Sequence, residues 1–204
     1  MKGSDMPSIF PIAYLPPISY LSMLLRSSDP LLEHHEHFVK KSIRNRCIII
    51  GANGPILLSV PINHVDRWRK PICEISIALD EEWKRSHWKS IESAYSHAPY
   101  YEFYRDSLEE TLFSSHTTLV SLNNRLLQLI LRWLKQDRDL KITEGFSPYE
   151  NQPHDYRTYW DSRSEGSKME KTYKQVFSDR HGFISDPSII DLIFNTGPDA
   201  LAYL

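Results

Sequence analysis

The first forty residues predict a strand, a helix and a second strand. Residues 8–15 (SIFPIAYL) form an apolar run typical of a strand, which the following prolines end. Pro17 suits the first turn of a helix, and the apolar residues after it recur at helical spacing: Ile18, Leu21, Leu24 and Leu25. Asp29 precedes a proline and is driven out of the helical conformation, so residues 31–38 predict the second strand. A strand, a helix and a strand within about 30 residues make a βαβ unit with parallel strands.

A β-hairpin is predicted next. The β-branched run at residues 46–50 (RCIII) is followed by Asn53-Gly54 and by a second apolar run at residues 56–61. Asn-Gly is a strong hairpin signal because both residues tolerate positive φ. Residues 73–79 alternate well enough to predict one more strand.

Beyond Asp80 the apolar period becomes helical. Three successive stripes predict three helices: Trp88, Ile91, Tyr95 and Ala98; then Tyr101, Tyr104, Leu108 and Leu112; then Leu119, Leu122, Leu126, Ile130 and Trp133. The third stripe is the best amphipathic pattern in the chain. Residues 135–168 are polar and contain several prolines and glycines, which favours a long loop. Residues 188–204 predict a short helix and an apolar tail.

Together these elements predict an α/β fold, with α+β as the alternative class. The length of 204 residues supports one domain over residues 1–204. We expect a small mixed sheet with one helix in residues 8–79, packed against a helical region in residues 83–135. Residues 136–168 would be a long loop, and residues 169–204 a C-terminal cap.

The charge of the chain is unevenly distributed. Its net charge is −2 at pH 7, yet residues 38–71 carry seven basic side chains against the single acid Asp66. Local positive charge on an otherwise acidic chain favours a focused anion site over a long nucleic-acid surface. We therefore expect an anionic small-molecule partner and no nucleic acid. A solvated basic face is the other interpretation of the same residues.

Cysteine content and hydropathy bear on the cellular compartment. Only Cys47 and Cys73 occur, so neither a disulfide framework nor a multi-cysteine zinc pattern is predicted. No apolar run approaches the roughly 20 residues that span a bilayer, and the first residues lack the features of a secretory signal. These observations predict a cytoplasmic protein without a transmembrane segment. They do not indicate an oligomeric state.

Arg44, Asn45 and Arg46 stand at the predicted start of the hairpin. Two guanidiniums flanking an amide supply fork-shaped donors that match a carboxylate or a phosphate. We predict that Lys40, Asn45 and Arg46 face one pocket, with Arg44 as a further substrate-binding candidate. A surface cluster of ion pairs is the alternative interpretation.

Two other groups of residues have a possible chemical role. The run Glu33-His34-His35-Glu36-His37 could place two imidazoles and a carboxylate on one strand face. A hydrated strand end with ordinary histidines is the favoured interpretation, so no metal site is expected and no cofactor is indicated. His87, beside the apolar stripe of the first long helix, is the candidate general base; a core histidine bonded to backbone is the alternative. Motifs for a serine nucleophile, a phosphate loop or a dinucleotide are absent from the sequence.

Several segments in order along the chain resemble the WbqC-like protein family. They are YLPPISY (14–20), Lys40 to Ser42 leading into Asn45-Arg46, GANGP (51–55) with Val60-Pro61, His87-Trp88, Ala94-Tyr95, APYY (98–101) and SIID (188–191). Tyr14, in the first segment, is added to the expected ligand contacts. The family's first motif usually has a tryptophan and a glycine where this chain has Pro17 and Ser19.

The resemblance implies a role in the biosynthesis of surface polysaccharide or O-antigen. The implied reaction is transfer of glycine, of another acyl or aminoacyl group, or of an activated sugar. A nucleotide sugar, or another substrate with a phosphate or carboxylate, would then occupy the anion site. The alternative is a non-catalytic scaffold or partner of a glycan assembly enzyme, which would use the aromatic helices as its interface.

Overall fold

The computed structural model describes residues 7–63, 70–78, 80–138, 140–148, 154–161 and 171–204. Their helices are α1 (Ile18–Arg26), α2 (Glu82–Tyr95), α3 (Tyr101–Phe113), α4 (Leu119–Trp133), α5 (Ser178–His181) and α6 (Ile189–Thr196). Their strands are β1 (Ser8–Pro11), β2 (Pro30–Glu33), β3 (Arg46–Gly51), β4 (Gly54–Ser59) and β5 (Lys141–Ile142), and two 3-10 helices cover Ile72–Glu74 and Gly197–Tyr203. The combination of helices with small sheets confirms the predicted α/β class.

The N-terminal βαβ unit has the predicted parallel pairing. Strand β1 aligns with β2 from Ser8 opposite Pro30 to Pro11 opposite Glu33, and α1 connects them. Both strands are shorter than predicted, because the backbone beyond them finds other partners. The N–H groups of His35 and Glu36 donate to the Glu33 carboxylate at 2.7 and 3.2 Å, which turns the chain away from the sheet.

The predicted mixed sheet is divided into two separate sheets. Strand β5 pairs in parallel with β2 and makes a three-stranded parallel sheet, whereas β3 and β4 form an antiparallel hairpin. Strand β5 comes from the predicted long loop at residues 136–168. Residues 139, 149–153 and 162–168 of that loop lie outside the described residues.

The hairpin turns at Ala52 and Asn53, so that Gly51 lies opposite Gly54. Only Gly54 of the Asn-Gly pair has positive φ, at 103°. That conformation favours glycine. The two-residue turn fixes the register of the ladder down to Arg46 opposite Ser59.

Residues 73–78 do not form the predicted strand. A 3-10 turn ends at Glu74, and the backbone then bonds to two different segments instead of to one partner strand: Ser76 and Ala78 bond to residues 61–63, and Ile75 and Ile77 bond to residues 117–119. Ile77 donates its N–H to Thr117, and the carbonyl of Ile75 accepts from Leu119 at 2.9 Å. The segment therefore anchors the start of α4.

The helices bury the stripes that the sequence predicted. In α4 the apolar face is buried except at Trp133, which is half-buried, and the Thr118 side chain caps the helix by accepting the Ser121 N–H at 3.2 Å. Buried side chains make one cluster that extends from Phe10 to Ala200. Within the ranges described, no helix combines the length and hydrophobicity needed to cross a membrane.

Candidate functional site

A cleft of about 260 Å³ lies at the open end of the β3–β4 hairpin. Its lining combines basic, amide and apolar side chains: Phe38, Lys40, Lys41, Asn45, Arg46, Ser59, Val60, Pro61 and Ile62. The three residues predicted from sequence to share one pocket, Lys40, Asn45 and Arg46, thus line the same cleft. Lys41 and Ser59 were not among the predicted site residues, although the two-residue turn places Ser59 opposite Arg46.

Local hydrogen bonds shape the loop that carries Lys40 and Lys41. The Ser42 hydroxyl donates to the carbonyl of Val39 at 2.7 Å, and Asn45 N–H donates to the carbonyl of Ser42 at 3.3 Å. Lys41 adopts a φ of 58°, in the left-handed region that costs a non-glycine residue free energy. Such conformations persist where the surroundings impose them, often at binding sites.

Asn45 joins this loop to the hairpin. Its backbone carbonyl accepts from Val60 N–H at 2.8 Å, and its side-chain nitrogen donates to the carbonyl of Val60 at 3.0 Å. These bonds extend the ladder by one pair beyond Arg46 and Ser59. The amide oxygen Oδ1 of Asn45 is buried and has no hydrogen-bond partner.

Arg46 contributes a guanidinium to the lining of the cleft. Its Nε is buried without a hydrogen-bond partner, and among the described residues no acidic side chain pairs with its guanidinium. Most buried polar groups in native proteins are satisfied, and here two residues of the same cleft lining each have one buried polar atom without a partner. With the ammonium groups of Lys40 and Lys41 on the same wall, the cleft has the charge and the donors to hold a small anion.

Arg44 lies elsewhere, in a buried ion-pair network. Its guanidinium is fully enclosed and binds both carboxylate oxygens of Glu36, at 2.7 and 2.8 Å. It also donates to Asp161 at 2.9 Å and to the backbone carbonyl of Arg157 at 2.9 Å. The Arg44 guanidinium therefore donates four hydrogen bonds within the protein. Arg44 is not among the described residues that line the cleft.

Arg157 is a second buried arginine, which the sequence did not single out. It donates to Glu33 at 3.1 Å and binds both oxygens of Asp155. The two arginines tie residues 155–161 to the end of β2 and to the segment between β2 and β3. No periodicity marks this region, so only the presence of acids and arginines within a polar loop could have indicated it.

The network also accounts for the Glu-His-His-Glu-His run. Both of its glutamates bind arginines, while His34 Nε2 lies 3.3 Å from the Asn124 amide and His35 Nε2 lies 2.9 Å from the Thr143 carbonyl. The exposed ring of His37 packs against Phe146 instead. Within the described parts of the chain no cluster of three metal-ligating side chains occurs.

Tyr14 and His87 form a buried pair beneath the hairpin. The Tyr14 hydroxyl lies 2.9 Å from His87 Nδ1, and the ring also hydrogen bonds to the backbone of Ser59. Burial lowers the pKa of His87 to about 4, an effect that the Ser59 backbone partly opposes. The imidazole is therefore neutral at pH 7, and among the described residues that line the cleft it bonds to Ser59.

A third polar cluster surrounds Asp191 in α6. Its carboxylate accepts from the hydroxyls of Tyr95 at 2.9 Å and Tyr173 at 2.6 Å, and from Gln175 at 3.2 Å. Burial raises the pKa of Asp191, while these three donors oppose the shift. The cluster connects α2 to α6 and is satisfied internally.

Comparison with known proteins places the chain in a family. The model of the WbqC-like protein family matches residues 12–159, which is most of the chain. The chain belongs to the WbqC-like protein family. The match includes Tyr14, the basic loop, the hairpin and His87, so the cleft lies within the WbqC-like region.

A relative from Mycobacterium tuberculosis (strain ATCC 25618 / H37Rv), described as uncharacterized protein Rv1507c, is 26% identical over 221 residues. The aligned region covers 94% of each chain. No solved structure matches this WbqC-like chain.

Proposed function

We propose that the hairpin cleft binds a small molecule with a phosphate or carboxylate group. The observation that carries this proposal is a cleft lined together by Lys40, Lys41 and Arg46, with no acidic side chain among the described residues of its lining. An oxyanion would accept from Arg46 and from the lysines.

The proposed reaction is group transfer during biosynthesis of surface polysaccharide or O-antigen. It rests on the resemblance to the WbqC-like family, which implies a glycine, acyl, aminoacyl or activated-sugar donor. In this proposal Lys40, Lys41 and Arg46 hold the anionic part of the donor. A cytoplasmic location belongs to the same proposal and is supported by two cysteines that are both free thiols.

His87 enters the proposal as a residue that positions the cleft wall. A general base must reach the proton that it removes, whereas the His87 ring is only 5% exposed and already bonds to Tyr14 and Ser59. Tyr14 instead bonds to His87, and His87 in turn bonds to the backbone of Ser59 in the cleft wall. Both residues thus act on the ligand through the hairpin.

A ligand screen by thermal shift tests the proposed function. A ligand at a hundred times its Kd stabilises the native state by about 2.7 kcal/mol. We expect inorganic pyrophosphate or a uridine diphosphate sugar to raise the melting temperature, because both present phosphate oxygens. Glycine serves as the carboxylate probe.

The matched variants are Arg46→Gln in the cleft and Arg85→Gln on the exposed surface of α2. Arg46→Gln should weaken binding tenfold to a hundredfold, since a hydrogen bond to a charged group contributes about 1.5–3 kcal/mol. Arg85→Gln should leave it unchanged. Equal binding by both variants would rule out the cleft as the site.

A scaffold role is the second candidate, and one observation favours it. Phe103 on α3 is 78% exposed and lies beside Tyr100, with ring centroids 6.0 Å apart. Aromatic side chains are enriched at protein interfaces. Loss of binding to a glycan assembly enzyme in a Phe103→Ser variant would support this role. Unchanged binding would contradict it.

A further inference from the structure

The outer face of the hairpin carries an aliphatic pair next to the cleft. Ile48 in β3 lies opposite Leu57 in β4, and the two side chains are 46% and 54% exposed. The adjacent pair on the same face is Arg46 with Ser59, both of which line the cleft. The apolar surface is therefore continuous with the cationic site.

Alternation along the strands explains this arrangement. Cys47, Ile49 and Leu58 point inward and are buried, so the side chains between them point outward. The outward positions of a half-buried antiparallel sheet are ordinarily polar. Here the first outward pair is polar and the second is aliphatic.

The spacing suits a ligand with two different ends. Residues two apart in a strand are separated by about 6.8 Å. The pair of Ile48 and Leu57 therefore lies about 6.8 Å along the hairpin from the pair of Arg46 and Ser59. A phosphate held by Arg46 and the lysines would leave an attached chain free to lie over Ile48 and Leu57.

We propose that the ligand of the cleft is a phosphate ester with an aliphatic chain, in which the phosphate occupies the cleft and the chain covers Ile48 and Leu57. This inference rests on the proposed anion site. Ile48 and Leu57 offer aliphatic surface without hydrogen-bonding groups, which suits a hydrocarbon better than a nucleobase or a sugar. One exposed pair is far smaller than the roughly 800 Å² per partner of a stable protein interface.

Titration calorimetry with methyl, butyl and octyl phosphate, each below its micelle concentration, tests the proposal. In the unmodified protein we expect affinity to rise with chain length, with octyl phosphate bound at least tenfold more tightly than methyl phosphate. Leu57→Ser and Ile48→Thr should remove this dependence and leave the affinity for methyl phosphate unchanged. Ile142→Thr, at an exposed position of β5, is the matched control and should keep the dependence.

The outcomes separate the two proposals. Equal affinities for the three phosphates would overturn the aliphatic-chain proposal and leave the anion site intact. Failure of every phosphate, including inorganic phosphate, to bind would overturn both. Tighter binding of uridine monophosphate than of octyl phosphate would also overturn the chain proposal, as would dissociation of a dimer by Leu57→Ser in sedimentation.

Discussion

The Tyr14 hydroxyl lies 2.9 Å from His87 Nδ1, and both side chains are buried. This pair has a consequence for acid stability. The folded pKa of His87, about 4, lies below its ordinary value of 6.5. Between these values the unfolded chain binds a proton that the folded protein does not, so stability falls as the pH decreases.

We expect His87 to account for roughly 2 kcal/mol of the stability lost between pH 7 and pH 5. His87→Gln should reduce this pH-dependent loss even if the variant is less stable at pH 7. Urea unfolding at the two pH values measures it, with His97→Gln on the exposed surface as control. An unchanged loss in His87→Gln would contradict the assignment.

The Arg44–Glu36 pair should be a major determinant of folding stability. Arg44→Met would leave the Glu36 carboxylate buried without its cation, which costs about 3–5 kcal/mol. For a protein of this size the melting temperature would fall by roughly 10 °C. The double variant Arg44→Met/Glu36→Met should lose less than the two single changes combined.

The control for this prediction is the exposed ion pair of Lys141 with Asp29. Exposed pairs contribute little because solvent screens them. Lys141→Met should therefore change the melting temperature only slightly. A similar effect of Arg44→Met and Lys141→Met would contradict the importance of the buried network.

Gly197 should not tolerate a side chain. Its φ is 55°, and a Cβ there would overlap the ring of Tyr100. Gly197→Ala should cost at least about 1–2 kcal/mol from the backbone conformation alone. Gly145→Ala, at a position with open space, is the control. Equal melting temperatures for the two variants would refute the prediction.

Lys41 should show a trade-off between stability and binding. Its φ of 58° costs about 1 kcal/mol in a non-glycine residue. Lys41→Gly should relieve this strain, and so raise the melting temperature, yet weaken anion binding. Lys41→Ala should weaken anion binding without raising the melting temperature. Melting temperature and phosphate affinity of both variants measure the two effects. A Lys41→Gly variant less stable than Lys41→Ala would show that the conformation is not strained.

The helices, the βαβ unit and the hairpin could be predicted from the sequence because each has a local pattern. The α4 stripe and the Asn53-Gly54 turn are clear cases. The division of the sheet could not be predicted, since β5 is only two residues long and pairs through tertiary contacts. The strand expected at residues 73–79 does not form over residues 73–78, because the backbone partners of that stretch belong to separate segments.

Part of the candidate site could also be predicted. Lys40, Asn45 and Arg46 line one cleft because the loop and the hairpin start are adjacent in sequence. Arg44 differs from Arg46 because its guanidinium pairs with Glu36, eight residues before it, and with Asp161, 117 residues after it. Long-range pairing of this kind leaves no local pattern. Arg67 and Arg69, which contributed to the basic segment, lie outside the described residues.

The most direct test of the anion site follows the Nε–H resonance of Arg46 by NMR. The protein is isotope-labelled, the signal is assigned with Arg46→Lys, and methyl phosphate is added to saturation. We expect the Arg46 Nε–H signal and the Asn45 side-chain amide signals to shift together with a single Kd, while the Nε–H signal of buried Arg44 stays in place. The account would be contradicted if the Arg46 Nε–H signal did not shift at saturation, or if the Arg44 Nε–H signal shifted in its place.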